Sequence, residues 1–299
     1  MPVSFGVSPI AWINDDMPEL GGDMPLAKVL GDARDIGFAG VELGGKFPKS
    51  SDVLSTLLGA YRLKLVGGWY GAELLRRDAE AEIQAMQPHL RLLKALGSPV
   101  FIQAEISNAV HGRRGTSLAH TPRLAPGDWK SFGERVTQVA DYVRAQGLRF
   151  AYHPHLGTVV ERPQDLASFL NWTGGSVGLT LDTGHAALGG NDPAAIIRDN
   201  PARIAHVHCK DVRRHVFERI RRDDRSFLDG VLAGMFTAPG DGDLDFSPVM
   251  RALAEIGYEG WLIVEAEQDP AIADPRKYSA VGLDTLQRTA AAAGLREAA

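Results

Sequence analysis

Four short apolar runs in the second half of the chain each end in side chains able to bind a metal ion. They are Phe150-Ala-Tyr-His153-Pro-His155, Gly178-Leu-Thr-Leu-Asp182-Thr-Gly-His185, Ile204-Ala-His206-Val-His208-Cys-Lys-Asp211 and Trp261-Leu-Ile-Val-Glu265. A carboxylate or imidazole at the end of a buried strand is poorly solvated and needs a partner. One divalent cation satisfies several at once. Asp182, His208 and Glu265 are the strongest ligand candidates. His153 is the expected fourth, with Glu161, a few residues on, as its rival. Nitrogen and oxygen donors of this kind suit Mn2+, Co2+, Zn2+ or Fe2+ better than a thiolate-preferring metal.

Groups able to move protons surround these ligands in sequence. His155 shares the inward parity of His153 if side chains alternate with period two, although Pro154 between them disturbs the alternation. His206 shares the parity of His208, so Cys209 points away as a small buried residue. His185 follows Asp182 by three residues and either orients a ligand or touches substrate. Lys210 is placed to polarise a carbonyl or to pair with Asp211. With Glu267, these residues are the candidate acids and bases; histidine suits either role because its ordinary pKa lies near neutrality. The first half supplies an expected substrate wall. Trp12 and Asn14 follow the first strand, Glu42 ends the second ahead of Lys46, Trp69 ends the third, and Gln103 and Glu105 end the fourth. Aromatic rings beside scattered polar groups fit a polyhydroxylated substrate.

Eight strand-like runs position these residues: 3–8, 40–43, 63–69, 99–103, 149–153, 176–182, 204–208 and 261–265. Most are short, apolar and free of polar alternation, as strands covered on both faces are. Helical patterns between them include 25–36, 79–96, 128–145, 162–170, a helix opened by Asp192-Pro193, and 247–256. Strand–helix alternation repeated eight times predicts a (β/α)8 barrel, one α/β domain over residues 1–299. Residues 104–127 and 212–246 break the repeat. They predict long βα loops after strands 4 and 7, on the face where barrels keep their active sites. The second loop carries the cluster Arg213-Arg214 through Arg221-Arg222, either a solvated helix face or a contact for substrate or partner.

Composition narrows the function. The chain has 299 residues, 44% of them hydrophobic, enough for a substantial core. A formal charge of −5 argues against a nucleic-acid partner. The single cysteine allows no intrachain disulfide, and the N-terminus lacks the pattern of a signal peptide. No apolar run reaches the roughly 18 residues of a membrane span. The expectation is a cytoplasmic protein with a small-molecule polyol or ketose substrate and no membrane partner. Barrels of this kind often form homo-oligomers, but no interface is legible.

These residues resemble the xylose-isomerase-like barrel superfamily and, within it, the inosose dehydratases of inositol catabolism. The resemblance runs nearly end to end. It is carried by Ser8-Pro-Ile-Ala-Trp-Ile-Asn-Asp-Asp16, Gly40-Val-Glu-Leu-Gly-Gly-Lys-Phe-Pro48, Tyr152-His-Pro-His-Leu-Gly-Thr-Val-Val-Glu161, Leu181-Asp-Thr-Gly-His185, His206-Val-His-Cys-Lys-Asp211, Ser226-Phe-Leu-Asp-Gly-Val-Leu-Ala-Gly-Met-Phe236 and Gly257-Tyr-Glu-Gly-Trp-Leu-Ile-Val-Glu265. It implies dehydration of 2-keto-myo-inositol to a trihydroxycyclohexane-dione with Mn2+ or Co2+, and, by family resemblance, use of reduced glutathione. Two departures stand out. Isomerases and epimerases of the superfamily carry Glu at the end of strand five, where this chain has His153, which disfavours an epimerase mechanism using that Glu as base. After strand eight the dehydratases read Glu-Gln-Asp, whereas this chain reads Glu265-Ala266-Glu267-Gln268. The expected chemistry is a metal-assisted β-elimination. The alternatives are a ketose isomerase or epimerase on the same barrel, a non-catalytic sugar-binding protein and an apurinic endonuclease-like phosphodiesterase.

Overall fold

The computed structural model describes residues 2–298. Eight parallel strands close into a barrel: β1 (Pro2–Val7), β2 (Gly40–Leu43), β3 (Lys64–Ala72), β4 (Val100–Glu105), β5 (Arg149–Tyr152), β6 (Gly178–Asp182), β7 (Ile204–Cys209) and, after a two-stranded hairpin of β8 (Asp211–Val212) and β9 (Phe236–Thr237), β10 (Gly260–Val264). Neighbours pair in chain order, and β10 pairs back onto β1, so no barrel edge is left open. A short β11 (Arg296–Glu297) adds to β1 from outside.

The period-two alternation of each strand divides its side chains between lumen and helices. Val100, Ile102, Ala151 and Ala205 cluster inside the barrel. Phe101, Phe150, Leu179, Leu181, Val207 and Val264 belong to the main core shared with the helices. Small residues admit large lumen neighbours: a side chain at Gly40 would collide with Val66 and Trp261. On β6, β7 and β10 the residues of lumen parity at the C-terminal end are Asp182, His208 and Glu265. Register sets Asp182 beside His208, and His208 beside Ile263, two residues before Glu265.

The predicted helices are present with small boundary shifts. Asp192 caps the helix Pro193–Asp199 by accepting from the Ala194 and Ala195 amides. The single helix predicted over 79–96 is two, Ala79–Ala85 and Gln87–Ala95. Pro88 explains the break, since it has no N–H for the continuing ladder and fits the first turn of a new helix. β3 runs on to Ala72, so Trp69 lies within the strand rather than at its end.

The long loops after β4 and β7 fold over the C-terminal mouth. The β7 loop contains the β8–β9 hairpin and the helices Arg214–Arg222 and Phe227–Leu232. Its apolar residues form a second core, in which Val212, Phe217, Phe227 and Phe236 pack with Met17 of the β1 loop, Leu156 of the β5 loop and Leu188. The β4 loop joins it through a Ser117–Ser226 bridge and a 2.5 Å hydrogen bond from Ser117 Oγ to Asp224 Oδ1. Among the described residues no helix is long and apolar enough to cross a membrane.

Candidate metal centre and active site

His153, Asp182 and His208 meet at the C-terminal mouth, each buried, with one ligand atom apiece inside a 4.8 Å circle. His153 Nε2 lies 3.7 Å from Asp182 Oδ2, and His208 Nδ1 lies 3.8 Å from the same oxygen. Glu265 is not one of these three. It borders them through His208, its Oε2 2.8 Å from His208 Nδ1.

The surrounding hydrogen bonds decide which atoms carry lone pairs. His153 Nδ1 is 2.9 Å from the Pro154 carbonyl oxygen, which only accepts, so Nδ1 carries the proton and Nε2 faces the cluster bare. His208 Nε2 donates to Glu42 Oε1 at 3.0 Å, which in the neutral ring leaves Nδ1 bare. Asp182 Oδ1 accepts the His185 amide at 2.8 Å, while Oδ2 is buried without a partner. His208 Nδ1 and Glu265 Oε2, though close, are not aligned as a hydrogen bond. Two lone-pair atoms at that separation repel unless a proton or a cation lies beside both. Orphaned donors of this chemistry fit a divalent ion, with His153, Asp182, His208 and Glu265 to hold it.

Electrostatics point the same way. Burial alone would lower the His208 pKa, but Glu42 and Glu265 on its two sides outweigh burial and raise it well above the ordinary imidazole value. Burial alone would raise the Glu42 carboxyl; His208 and His206 instead bring it down to about 2. Burial likewise opposes ionisation of Glu265, and Lys210 and His208 hold it well below the usual carboxylate range.

Glu42 was expected on the substrate wall. It does line the cavity, and its hydrogen bonds go to the two imidazoles, since His206 Nε2 also donates to Oε1 at 2.8 Å. A carboxylate that fixes the tautomer of a metal-ligating histidine raises its basicity and orients it. His206 is thereby bonded away from the mouth, and burial keeps its pKa low. Glu161, the rival fourth ligand, is elsewhere: Oε2 accepts from the Gly157 amide at 2.7 Å and from Thr121 Oγ1 at 3.2 Å, bracing the β5 loop.

Lys210 is fully buried and carries a second cluster. Its Nζ lies 2.7 Å from Glu265 Oε1, 3.1 Å from Glu267 Oε2 and 3.0 Å from His185 Nε2. Burial opposes its charge, but Glu265, Glu267 and Asp182 raise its pKa. A cationic Lys210 must donate to His185 Nε2, which places the His185 proton on Nδ1. The approach of the Leu156 amide to Nδ1 at 3.3 Å is then not a hydrogen bond. Lys210 does not pair with Asp211, the alternative read from sequence. Asp211 turns toward the β7 loop and accepts four backbone N–H groups there.

Glu267 Oε1 is buried without a partner, and the residue lines the cavity in front of the metal cluster. Burial pushes its carboxyl up to about 7. His155 lines the same cavity; its Nδ1 donates to the Leu156 carbonyl at 2.7 Å, leaving Nε2 as an acceptor. Burial, reinforced by His111, holds its pKa well below the ordinary value. Its ring packs against that of His185, 3.7 Å between centroids and tilted by 35°.

The expected substrate wall is only partly there. Trp69 lines the cavity, 38% exposed, with its ring edge-on to His153 and His155. Trp12 does not: it is in the main core, and its indole N–H donates to Asp32 Oδ2. Asn14 is buried, its Oδ1 accepting the Asp16 and Met17 amides in a turn. Lys46 reaches outward to the Gly22 carbonyl. Gln103 alternates with the cavity-lining Ile102 and faces the helix layer, while Glu105 accepts from the Leu74 and Ser107 amides. In their place the mouth has Ser8, Asp15 and Asp16 from the β1 loop. The paired aspartates after Asn14 were the available sign, since an Asx turn throws its next residues outward. His111 of the β4 loop, 4.8 Å from His155 ring to ring, was hidden in a segment without periodicity.

Comparison with known proteins places this geometry. Residues 30–289 match the family model for the xylose isomerase-like TIM barrel. The rhizopine catabolism protein MocC of Rhizobium meliloti is 44% identical over 99% of this chain and 91% of its own length. The inosose dehydratase of Geobacillus thermodenitrificans is 37% identical over 93% of this chain and 94% of its own. The chain belongs to the xylose isomerase-like TIM barrel family, in the branch that contains the inosose dehydratases. Among solved structures, an L-ribulose 3-epimerase superposes with a TM-score of 0.68 over 98% of this chain and 96% of its own, at 16% identity, which supports the shared fold alone. The side chains gathered at the C-terminal ends of β5, β6, β7 and β10 lie where barrel enzymes keep their chemistry.

Proposed function

We propose that this protein is a divalent-metal-dependent hydro-lyase that removes water from inosose, 2-keto-myo-inositol, in inositol catabolism. The observation that carries the reading is the near end-to-end similarity to inosose dehydratases, at 35–37% identity, on a chain whose strand ends converge on a metal-fitting cluster. Mn2+ or Co2+ is the proposed ion, matching an imidazole and carboxylate donor set without sulfur. A cytoplasmic location and one domain over residues 1–299 complete the reading. Glutathione, implied by family resemblance, has no residue here that accounts for it.

When bound, the ion supplies Lewis acidity that stabilises negative charge on a substrate carbonyl oxygen. The chain's own residues do the rest. Trp69 gives a flat apolar wall for the ring of a polyol, and Asp15 and Asp16 offer acceptors for its hydroxyls at the mouth. Glu267 Oε1, buried and unpartnered beside Lys210, is the proposed base for the proton next to the carbonyl. Glu267, once it holds that proton, is the group that returns it to the departing hydroxyl as water leaves, while His155, neutral and with its free Nε2 facing the cavity, accepts a hydrogen bond from a substrate hydroxyl. His185 acts indirectly, by holding Lys210. The lid over the mouth excludes water that would otherwise compete for these groups.

The test is direct. Chelation is expected to abolish turnover of inosose, and Mn2+ or Co2+ to restore it, with ultraviolet absorbance of the enolised dione reporting product. A product of unchanged mass would favour an epimerase, and full activity in rigorously metal-free protein would overturn the reading. A second reading rests on the 44% identity to MocC: the preferred cyclitol comes from rhizopine breakdown. Comparing kcat/KM for inosose with that for a rhizopine-derived ketone decides between them.

A further inference from the structure

A second cavity lies behind the β5 loop, on the opposite side from the metal cluster. It is bounded by Leu118 to Arg123 of the β4 loop, Leu156, Glu161 and Arg162 of the β5 loop, Leu188 and Gly189, and Phe217 and Arg221 of the lid helix. Its floor is apolar. Its rim carries three guanidinium groups brought from three separate chain segments.

Their partners are unequal. Arg162 is fixed by Asp165, which takes Nε and Nη2 at 2.8 Å each and leaves Nη1 unbonded among the described residues. Arg123 and Arg221 form no ion pair among the described residues, and Arg221 rests over the Phe217 ring at 5.8 Å. Elsewhere on the lid Arg213 pairs with Asp241, Arg222 with Asp223 and Arg225 with Asp229, while Arg214 and Arg219, outside the cavity, form no ion pair among the described residues. Arg123, Arg162 and Arg221 line one cavity, and each keeps guanidinium N–H groups without an acceptor among the described residues. Like charges lining one cavity repel one another, and the nearby carboxylates, Asp165 bound to Arg162 and Glu161 taking the Gly157 amide and the Thr121 hydroxyl, form no ion pair with Arg123 or Arg221.

We propose that this cavity binds a small organic oxyanion, a carboxylate or a phosphate monoester with a short aliphatic body. The oxyanion would bridge Arg123, Arg162 and Arg221, since planar guanidinium forks match such oxygens in charge and shape. The aliphatic part would lie against Leu118, Leu156, Leu188 and Phe217. The occupant would tie the β4 loop and the lid helix to the β5 loop, whose other side carries His153 and His155. The site is separate from the catalytic cavity and does not depend on the metal.

The experiment is binding to the metal-loaded protein, measured by calorimetry and ligand-observed NMR, with hexanoate, acetate and inorganic phosphate as probes and no turnover required. Hexanoate is expected to bind more tightly than acetate, and excess myo-inositol at the catalytic mouth to leave its affinity unchanged. Arg123→Gln with Arg221→Gln, both exposed, should weaken hexanoate or phosphate binding by about tenfold or more. Arg113→Gln, which is outside the cavity, should not. Phosphate binding without hexanoate preference identifies the phosphate source; the reverse identifies the carboxylate. No binding of either probe, equal binding by parent and double variant, or displacement by myo-inositol overturns the proposal. None of these outcomes bears on whether the barrel eliminates water from inosose.

Discussion

The residue that most changes meaning between sequence and structure is Glu42. Its place at the end of β2 suggested a substrate contact; it lines the cavity, and its Oε1 also accepts hydrogen bonds from His206 and His208 together. That fixes which His208 nitrogen is left for an ion. Glu42→Gln removes the charge and puts a competing donor beside the imidazole. Metal affinity is then expected to fall about 10- to 100-fold, the range typical for such supporting partners. Competition of Co2+ or Mn2+ against a calibrated chelator measures this, and unchanged affinity would show that Glu42 does not set the tautomer. At this scale the convergence of His153, Asp182 and His208 was legible, because strand parity says which side chains turn inward. Trp12, Lys46 and Gln103 were misplaced because adjacency to a strand end does not say which face a residue takes or what already occupies it. Glu42 faced inward as expected, but its partners sit 164 and 166 residues away, a separation that spacing cannot bridge.

The elements were legible wherever burial imposed a pattern. All eight barrel strands fall within a few residues of their expected spans, since parallel strands covered on both faces read as unbroken apolar runs. The lid after β7 was read only as a departure from the repeat, because its hairpin strands are two residues each and carry no period. What organises it is one side chain. Asp211 is fully buried; Oδ1 accepts the Val212 and Leu244 amides, and Oδ2 those of Gly240 and Gly242, at 2.8 to 3.0 Å. It clasps the start of the loop to its end, and a side chain at Gly242 would collide with it. Asp211→Asn turns one acceptor oxygen into a donor facing buried N–H groups. The expected loss is about 2–4 kcal/mol of stability, from donors left unsatisfied. Urea unfolding reads the loss, and limited proteolysis should place new cleavage within residues 212–246. Wild-type stability in this variant would mean that the lid is held by its apolar core instead.

At the scale of the whole molecule, the barrel buries more imidazoles than its metal site needs, and this sets how its stability depends on pH. Burial lowers the pKa of His89, His111, His206, His155 and His185 below the ordinary 6.5, while carboxylates raise that of His208. For the five lowered groups the unfolded chain takes up protons near 6.5 while the folded barrel does not. Unfolding therefore binds protons, and stability is present above pH 6.5 and lost as pH falls below it. His208 has the opposite sign: its contribution is present below 6.5 and lost as pH rises through its folded value. Five groups against one predict net loss of stability on acidification. His89 isolates the effect, since it sits away from the metal cluster, donating from Nε2 to the Gly68 carbonyl at 3.1 Å and packing against Tyr70 and Phe101. His89→Gln keeps a donor and removes the titration. Between about pH 5 and 6.5 its unfolding free energy should fall less steeply than the parent's, by at most about 1.4 kcal/mol per pH unit, the value of one proton. Urea melts of both proteins in one chelator-containing buffer series measure the difference. Parallel slopes would show that His89 protonates as readily in the barrel as in the unfolded chain.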